Sequence, residues 1–353
     1  MTSCKFVTVI HLGTVNWLMH RMLIISVVLV SALAVGCSRQ THVGSVHKAA
    51  AGAGRDSKPI DLAKVKPNEV GRVLILEYHD VGPEEGRWAR RGDNFRADLQ
   101  RLYQLGYQPI SLRDYVRNHV NTSAGKSPVI LTFDDATKGQ FNVINAGGQT
   151  KVDSNCAVGI MKDFSRTHPD WPLRATFYAY YPVPFRQKEY IGYKMRQILA
   201  LGMDIGNHTY THTRLDRLSD ADAAKEMALN VKSAQAYAPE AIVDSIALPY
   251  GKGPKNKALL KSGSYQGTSY NNIAALLVGA EPAPSPVSKG FDPYRLPRVQ
   301  AIQSELDLWL GYFKRRPEQR YISDGDPDTV TVPKSMADKV DKTKLGPAKL
   351  RIY

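Results

Sequence analysis

The chain predicts an α/β fold built on a parallel sheet, and three observations carry that expectation. Val73–Leu76 and the run "PVIL" before "TFDD" are continuously apolar, as in strands buried on both faces. Segments of helical period separate these runs, so strand and helix alternate. The runs also end abruptly in acids and histidines, the pattern of a sheet whose strand ends carry chemistry. A length of 353 residues allows one large domain with appendages. The 250 or so residues of alternation suit a barrel as well as an open sheet, and no internal repeat is present.

The elements follow in order. "RVLILEYHDVG" opens with a buried strand. "NFRADLQRLYQLG" places Phe95, Leu99, Leu102 and Leu105 at helical spacing, with Gly106 as a stop. "YQPISLRDYVRNHV" reads as a short strand and a helix capped by Ser111. "SPVILTFDDATKGQF" is the second strong strand, followed by a helix near "SNCAVGIMKDFSRTH" and a strand in "LRATFYAYY". A helix in "YIGYKMRQILALG", a strand-to-turn "MDIGNHT" and a helix from Ser219 to Tyr237 come next. "AIVDSIALPYG", "YQGTSYNN" and "YRLPRVQA" complete the strand series, with Pro-rich "EPAPSPVSKG" as a loop. The folded domain is expected over 71–322, with a polar, peripheral tail over 323–353.

The first 36 residues read as an export leader. "MHRMLIISVVLVSALAVGC" has a basic start, an apolar run and small residues before Cys37, too short and wrongly flanked for a spanning helix. Met19 or Met22 would then be the true start. "LAVGC" resembles a bacterial lipobox, which makes Cys37 the lipidation site; plain cleavage gives a periplasmic or secreted protein instead. Residues 37–70 are small and polar, as in a flexible tether. Cys4 would leave with the leader and Cys37 would carry lipid, so Cys156 has no disulfide partner. The net charge is +14, and loss of Lys5 and Arg21 with the leader lowers it to +12. That charge favours an anionic envelope surface or polymer. Nucleic acid is excluded as a partner by the lack of any basic helix or basic–aromatic motif.

Chemistry concentrates in two places. Asp134 and Asp135 are adjacent at a strand end, where a turning backbone lets both reach one cleft. Two carboxylates side by side call for a cation, although one could cap a helix and the other be solvated. His208 and His212 in "NHTYTH" stand four apart, which on a helical turn puts both on one face, in reach of one metal. Two imidazoles with one carboxylate make a three-ligand set that leaves a position open, as in catalytic zinc sites. The other Asp is then available as general base.

Together "LTFDDA", "RATFYAY", "MDIGNHTYTHTRLDRLS" and "ALPYG" resemble the polysaccharide deacetylases of the NodB-homology type, carbohydrate esterase family 4. The resemblance runs from about Arg72 to Ala301. It implies a distorted (β/α) barrel of fewer than eight strands and an N-deacetylase. It also implies Asp134 as base, Asp135, His208 and His212 as metal ligands, and the Tyr250 backbone N–H as oxyanion donor, with Pro249 against the substrate. The divalent metal would be zinc first of all, though these ligands also accept cobalt, nickel or iron. Three departures stand out. Ala136 replaces the usual glycine, Ala247 and Leu248 replace the arginine that often orients the base, and no histidine follows His212 to serve as the late general acid.

The layout "EYHDVG", then "NFRADLQRLYQLGYQPISLRDYV", is similar to the exopolysaccharide poly-N-acetylglucosamine branch of that family. In that branch an early histidine stands in the site, which makes His79 the candidate acid. Asp80 is either its partner or a turn residue. Arg298 in "YRLPRVQA" is a candidate for reaching the sugar or the base, with a structural ion pair as the alternative. Asp204 is either a support for the histidine turn or a cap. Trp171 and Tyr181 stack on sugar or anchor loops, and His119 and His168 are expected in solvent. The function implied is removal of N-acetyl groups from a poly-N-acetylglucosamine-like polymer in the cell envelope. The alternatives are a peptidoglycan or chitin-oligomer deacetylase and a weakly catalytic polysaccharide-binding protein.

Overall fold

The computed structural model describes residues 60–353. The leader, Cys37 and most of the expected tether lie outside them. Among the described residues no helix is long and apolar enough to cross a membrane.

Eight strands form one parallel sheet: β1 (Leu74–Tyr78), β2 (Tyr107–Pro109), β3 (Ser127–Asp134), β4 (Thr176–Ala179), β5 (Asp204–Asn207), β6 (Ser245–Ala247), β7 (Ala274–Leu276) and β8 (Val299–Gln300). The spatial order is β7-β6-β5-β4-β3-β1-β8, with β2 and β4 in succession along one edge of the long β3. Leu76 pairs with Val299, while Leu296, three residues earlier, bridges to Leu276 of β7. The segment before β8 therefore joins the two ends of the sheet and curls it into a distorted barrel.

Helices α1 (Gly92–Gln104), α2 (Leu112–Val116), α3 (Ala157–Thr167), α4 (Ile191–Ala200), α5 (Asp220–Tyr237) and α6 (Gln303–Arg315) belong to the same frame. The Ser111 and Ser219 hydroxyls accept from the Asp114 and Asp222 N–H groups, capping α2 and α5 as their positions predict. Helix α6 has its sequence signal in Leu306, Leu310 and Phe313, all buried at helical spacing. "YQGTSYNN" departs from expectation: Ser262–Tyr265 and Thr268–Asn271 form an antiparallel hairpin outside the barrel. The sheet strand is the next segment, Ala274–Leu276, too short to show a period.

The two faces of each strand part company. Ile75, Ile130, Tyr178, Ala247 and Leu276 share one buried cluster. Leu74, Leu76, Leu131, Phe133 and Phe177 join the larger cluster that contains the helix residues Phe95, Leu99, Ile160, Met195 and Met227. By the same alternation Glu77 falls on the Ile75 face, and Thr132 and Asp134 on the Ile130 face. An apolar layer of the barrel interior is thus followed, toward the carboxyl ends, by a polar one.

Residues 323–353 include a pair of strands outside the sheet. Strands β9 (Thr329–Val332) and β10 (Lys349–Ile352) pair, and Val330 and Val332 pack with Val70 and Val287. Glu69, buried at the end of the expected tether, accepts hydrogen bonds from the N–H groups of Thr331 and Asp324. Burial, aided by the nearby Asp324 carboxylate, pushes the Glu69 carboxyl up to about 8. A carboxyl raised from 4.5 stabilises the fold in its protonated form, so that contribution is lost as pH rises between 4.5 and about 8. Denaturant melts at pH 5 and pH 8 should show Glu69→Gln losing less stability across that window than the parent. Equal losses would count against the assignment.

Candidate active site

Four parallel strands end on the same rim, where ligand sites of α/β barrels gather. There β1 delivers His79, β3 delivers Asp134 and Asp135, β5 delivers His208, and β6 runs into the turn Pro249–Gly251. Asp134 is the last residue of β3 and points inward with Thr132. A regular strand would send Asp135 outward. Its φ of 76°, followed by 44° at Ala136, turns the chain instead and brings both carboxylates to one cleft. Neither residue is a glycine, so this left-handed pair stores strain of order 1–3 kcal/mol per residue. The Phe185 N–H holds the turn through the Ala136 carbonyl at 2.5 Å. The absent glycine noted at Ala136 is therefore a strained position rather than a different turn.

The histidine pair is not helical. His208 follows β5, and an irregular loop with left-handed Thr209 (φ 56°) and His212 (φ 59°) carries the second ring back. Asn207 Oδ1 accepts from the Thr209 N–H, and Asn230 of α5 donates to the Thr209 carbonyl. Buried amides thus do what a helix was expected to do. His208 Nε2 and His212 Nε2 lie 3.4 and 3.3 Å from Asp135 Oδ1. His208 Nδ1 is 2.8 Å from the Ala247 carbonyl, which requires the proton on Nδ1 and leaves the Nε2 lone pair facing Asp135. Burial opposes charge on His208, but the carboxylates of Asp134 and Asp135 outweigh it and raise its pKa. A pocket that attracts a proton in this way attracts a cation too. Two imidazole nitrogens and one carboxylate converging with a polarised histidine fit a divalent metal.

Asp134 has a different partner. Arg298, fully buried, donates from Nη1 and Nη2 to its two oxygens at 2.8 and 2.7 Å, and from Nε to the Leu277 carbonyl at 2.7 Å. Burial pushes the Asp134 carboxyl up, but the guanidinium overrides it and holds the carboxyl well below the usual range. Glu77 lies beside the pair, its Oε1 3.4 Å from Arg298 Nη2 and 4.0 Å from His79 Nε2. Burial, opposed by Arg298, pushes Glu77 up to about 7. Glu77, His79 and Asp134 also cluster closely enough to hold an ion, but the Arg298 guanidinium already supplies the positive charge there. His79 is largely buried and burial lowers its pKa, against the pull of Asp134 and Asp135.

Several sequence expectations change. Arg298 does not reach substrate: its side chain is inaccessible and its nitrogens are spent on Asp134, Thr132 and Leu277. It makes the ion pair with Asp134 that the sequence left as one of its options, and it comes from the segment just before β8, which pairs with β1. Pro249 is buried and starts a turn, so it offers substrate no face. Tyr250 has φ 57° in that turn, and its 60% exposed side chain lies 5.1 Å, ring to ring, from His212. Trp171 and Tyr181 are core residues, not cleft aromatics. Asp204 pairs with Arg113 at 2.9 Å, at the opposite end of β5 from His208. Asp80 accepts from the Thr137 hydroxyl at 2.5 Å rather than orienting His79. His119 is exposed, whereas His168 stacks on Phe164 with ring centroids 4.0 Å apart. Glu77, Trp88 and Tyr180, the last with its ring 5.2 Å from that of His212, join the site without having been singled out; only the position of Glu77, two before His79 on a strand, could have marked it.

A strand-end site of two carboxylates and two histidines on a parallel barrel can hold a divalent cation with a free carboxylate beside it. The sequence comparison points to a class: residues 170–269 match the family model described as polysaccharide deacetylase, which bears out the resemblance. The matched span contains both histidines and the "ALPYG" turn. No curated protein matches the chain in sequence. Among solved structures it is similar to the Streptococcus pyogenes deacetylase PplD in complex with acetate, at 19% identity and TM-score 0.49 over 65% of this chain and 92% of that one. It is also similar to IcaB from Ammonifex degensii, at 18% identity and TM-score 0.47 over 68% and 97%. A polysaccharide deacetylase from Bacillus cereus gives 16% identity and TM-score 0.48 over 65% and 64%.

Proposed function

We propose that this protein is a zinc-dependent N-deacetylase of a poly-N-acetylglucosamine-like polymer, working in the cell envelope after export, with Cys37 as its lipid anchor. One observation carries the reading: Asp134, locked by the Arg298 guanidinium, stands beside the converging set Asp135, His208 and His212. A divalent cation on those three would polarise the acetyl carbonyl and lower the pKa of water from 15.7 to about 7. Asp134 is charged at every working pH and takes the proton of the attacking water. A carboxylate of such low basicity suits that task only where the water is already acidified, which is why base and ligand set belong together. The Tyr250 N–H faces the developing oxyanion. His79, from the adjacent strand end, gives its proton to the departing amine. The products are acetate and a glucosamine unit that is cationic at neutral pH. The layout from His79 through "TFDD" favours this polymer over peptidoglycan or chitin oligomers.

The test is acetate release from N-acetylglucosamine oligomers by residues 38–353, with bound zinc measured alongside. His79→Ala should cut kcat by about 10²–10⁴-fold, the usual worth of a positioned acid, with zinc content unchanged. Full activity in that variant would remove His79 from the mechanism. Zinc bound without turnover of any acetylated glycan would favour the polysaccharide-binding alternative.

A further inference from the structure

Few large apolar side chains of the described residues are exposed, and two of them touch the histidines of the site. Trp88 is 45% exposed and its ring lies 4.5 Å from the His79 ring; Tyr250 is 60% exposed and stands 5.1 Å from His212. Single exposed apolar residues are ordinary on a protein surface, but these two are aromatic and stand on either side of one site. The setting of Trp88 is also rigid. The Asp80 N–H donates to the Trp88 carbonyl, and Gln300 Nε2 donates to the carbonyl of Arg87. Two residues on, buried Arg90 binds both oxygens of Asp98, and Asp98 accepts from Tyr78. The Arg87 guanidinium covers part of the indole, 4.9 Å from the ring. Trp88 is therefore a fixed surface beside the site, pre-organised at little entropic cost.

From these observations we infer that Trp88 is a sugar-binding platform: the apolar face of a pyranose next to the reacting unit stacks on it, while Tyr250 flanks the cleft beyond His212. Trp88 lies on the His79 side and Tyr250 on the His212 side, so a chain crossing the carboxylates meets aromatic rings before and after them. Equatorially substituted amino sugars present the flat C–H face that an indole accepts. The enzyme then prefers internal units of a polymer to a single sugar. This inference rests on the deacetylase reading for the identity of the ligand.

The test uses the protein from residue 38 onward, with N-acetylglucosamine and its β-1,6- and β-1,4-linked pentamers, in calorimetric titrations and acetate-release kinetics. Trp88→Ala should weaken pentamer binding and raise its KM by about tenfold or more, leave kcat within about threefold, and leave the monosaccharide unaffected. Trp88→Tyr should recover most of the loss. A fall in kcat at constant KM would mean that Trp88 only positions His79, and the inference would fail. Equal effects on pentamer and monosaccharide, or none, would overturn it too. Pentamer binding lost in Trp88→Ala, with no turnover by the parent, would keep the platform and reject the deacetylase. A parent that binds neither pentamer would reject both.

Discussion

Asp134→Asn is expected to lower acetate release by about 10³-fold while zinc stays at about one per chain. The argument starts from which carboxylate is committed to what. Both Asp134 oxygens accept from Arg298, at 2.8 and 2.7 Å, in a bidentate pair out of reach of solvent. Asp135 holds no such pair, and its Oδ1 faces the two Nε2 atoms at 3.4 and 3.3 Å. The asparagine keeps the shape of Asp134 and an oxygen for Arg298 but cannot accept a proton. Kinetics should therefore collapse and metal binding should not. Metal content tells the two carboxylates apart: if zinc leaves with Asp134→Asn and stays in Asp135→Asn, the roles are reversed. The Asn variant also leaves Arg298 facing a neutral partner, so a modest loss of stability is expected and should be checked by melting.

The strands, their order in sequence and the metal-type set were legible because their signals are local. Apolar runs such as "PVIL", the adjacent Asp134 and Asp135, and histidines four apart sit in single short windows. Reading "HTYTH" as a helical turn still reached the right pairing, because the left-handed backbone at Thr209 and His212 achieves by loop geometry what helical spacing does elsewhere. What escaped is everything made across the barrel. Arg298 is 164 residues from Asp134, and no period or motif links them; only closure of the sheet by the Leu296–Gln300 segment puts them together. The sequence left an ion pair as one option for Arg298 and did not single out Asp134 for it. Trp88 escaped for the opposite reason. Its neighbourhood "GRWARR" is polar and without period, and nothing in it foretells a short strand pair that lays the indole against His79. Buried Glu69 shows the same limit, since its partners Asp324 and Thr331 stand 255 and 262 residues away.

Arg298→Met should damage both the fold and the chemistry, and the two losses can be separated. Methionine roughly fills the volume but leaves the Asp134 carboxylate buried without its cation. Removing one member of a buried pair typically costs about 3–5 kcal/mol, because the partner's desolvation is no longer offset. Glu77 makes this site worse than an isolated pair. It lies 3.4 Å from the same guanidinium, so the variant places two facing acids in one buried layer. Such a pair relieves itself by taking up protons. Asp134 would then spend part of its time protonated at neutral pH, unable to accept from water. In the parent, the depressed Asp134 carboxyl contributes stability that is present at neutral pH and disappears only in strong acid. In Arg298→Met that contribution should be gone, and activity should recover partially as pH rises and Asp134 ionises. Denaturant melts and a kcat–pH profile measure the two effects. The double variant Arg298→Met with Asp134→Asn should regain stability over Arg298→Met alone while staying inactive. A single variant as stable as the parent, with an unchanged pH profile, would show that Arg298 neither holds nor tunes the base.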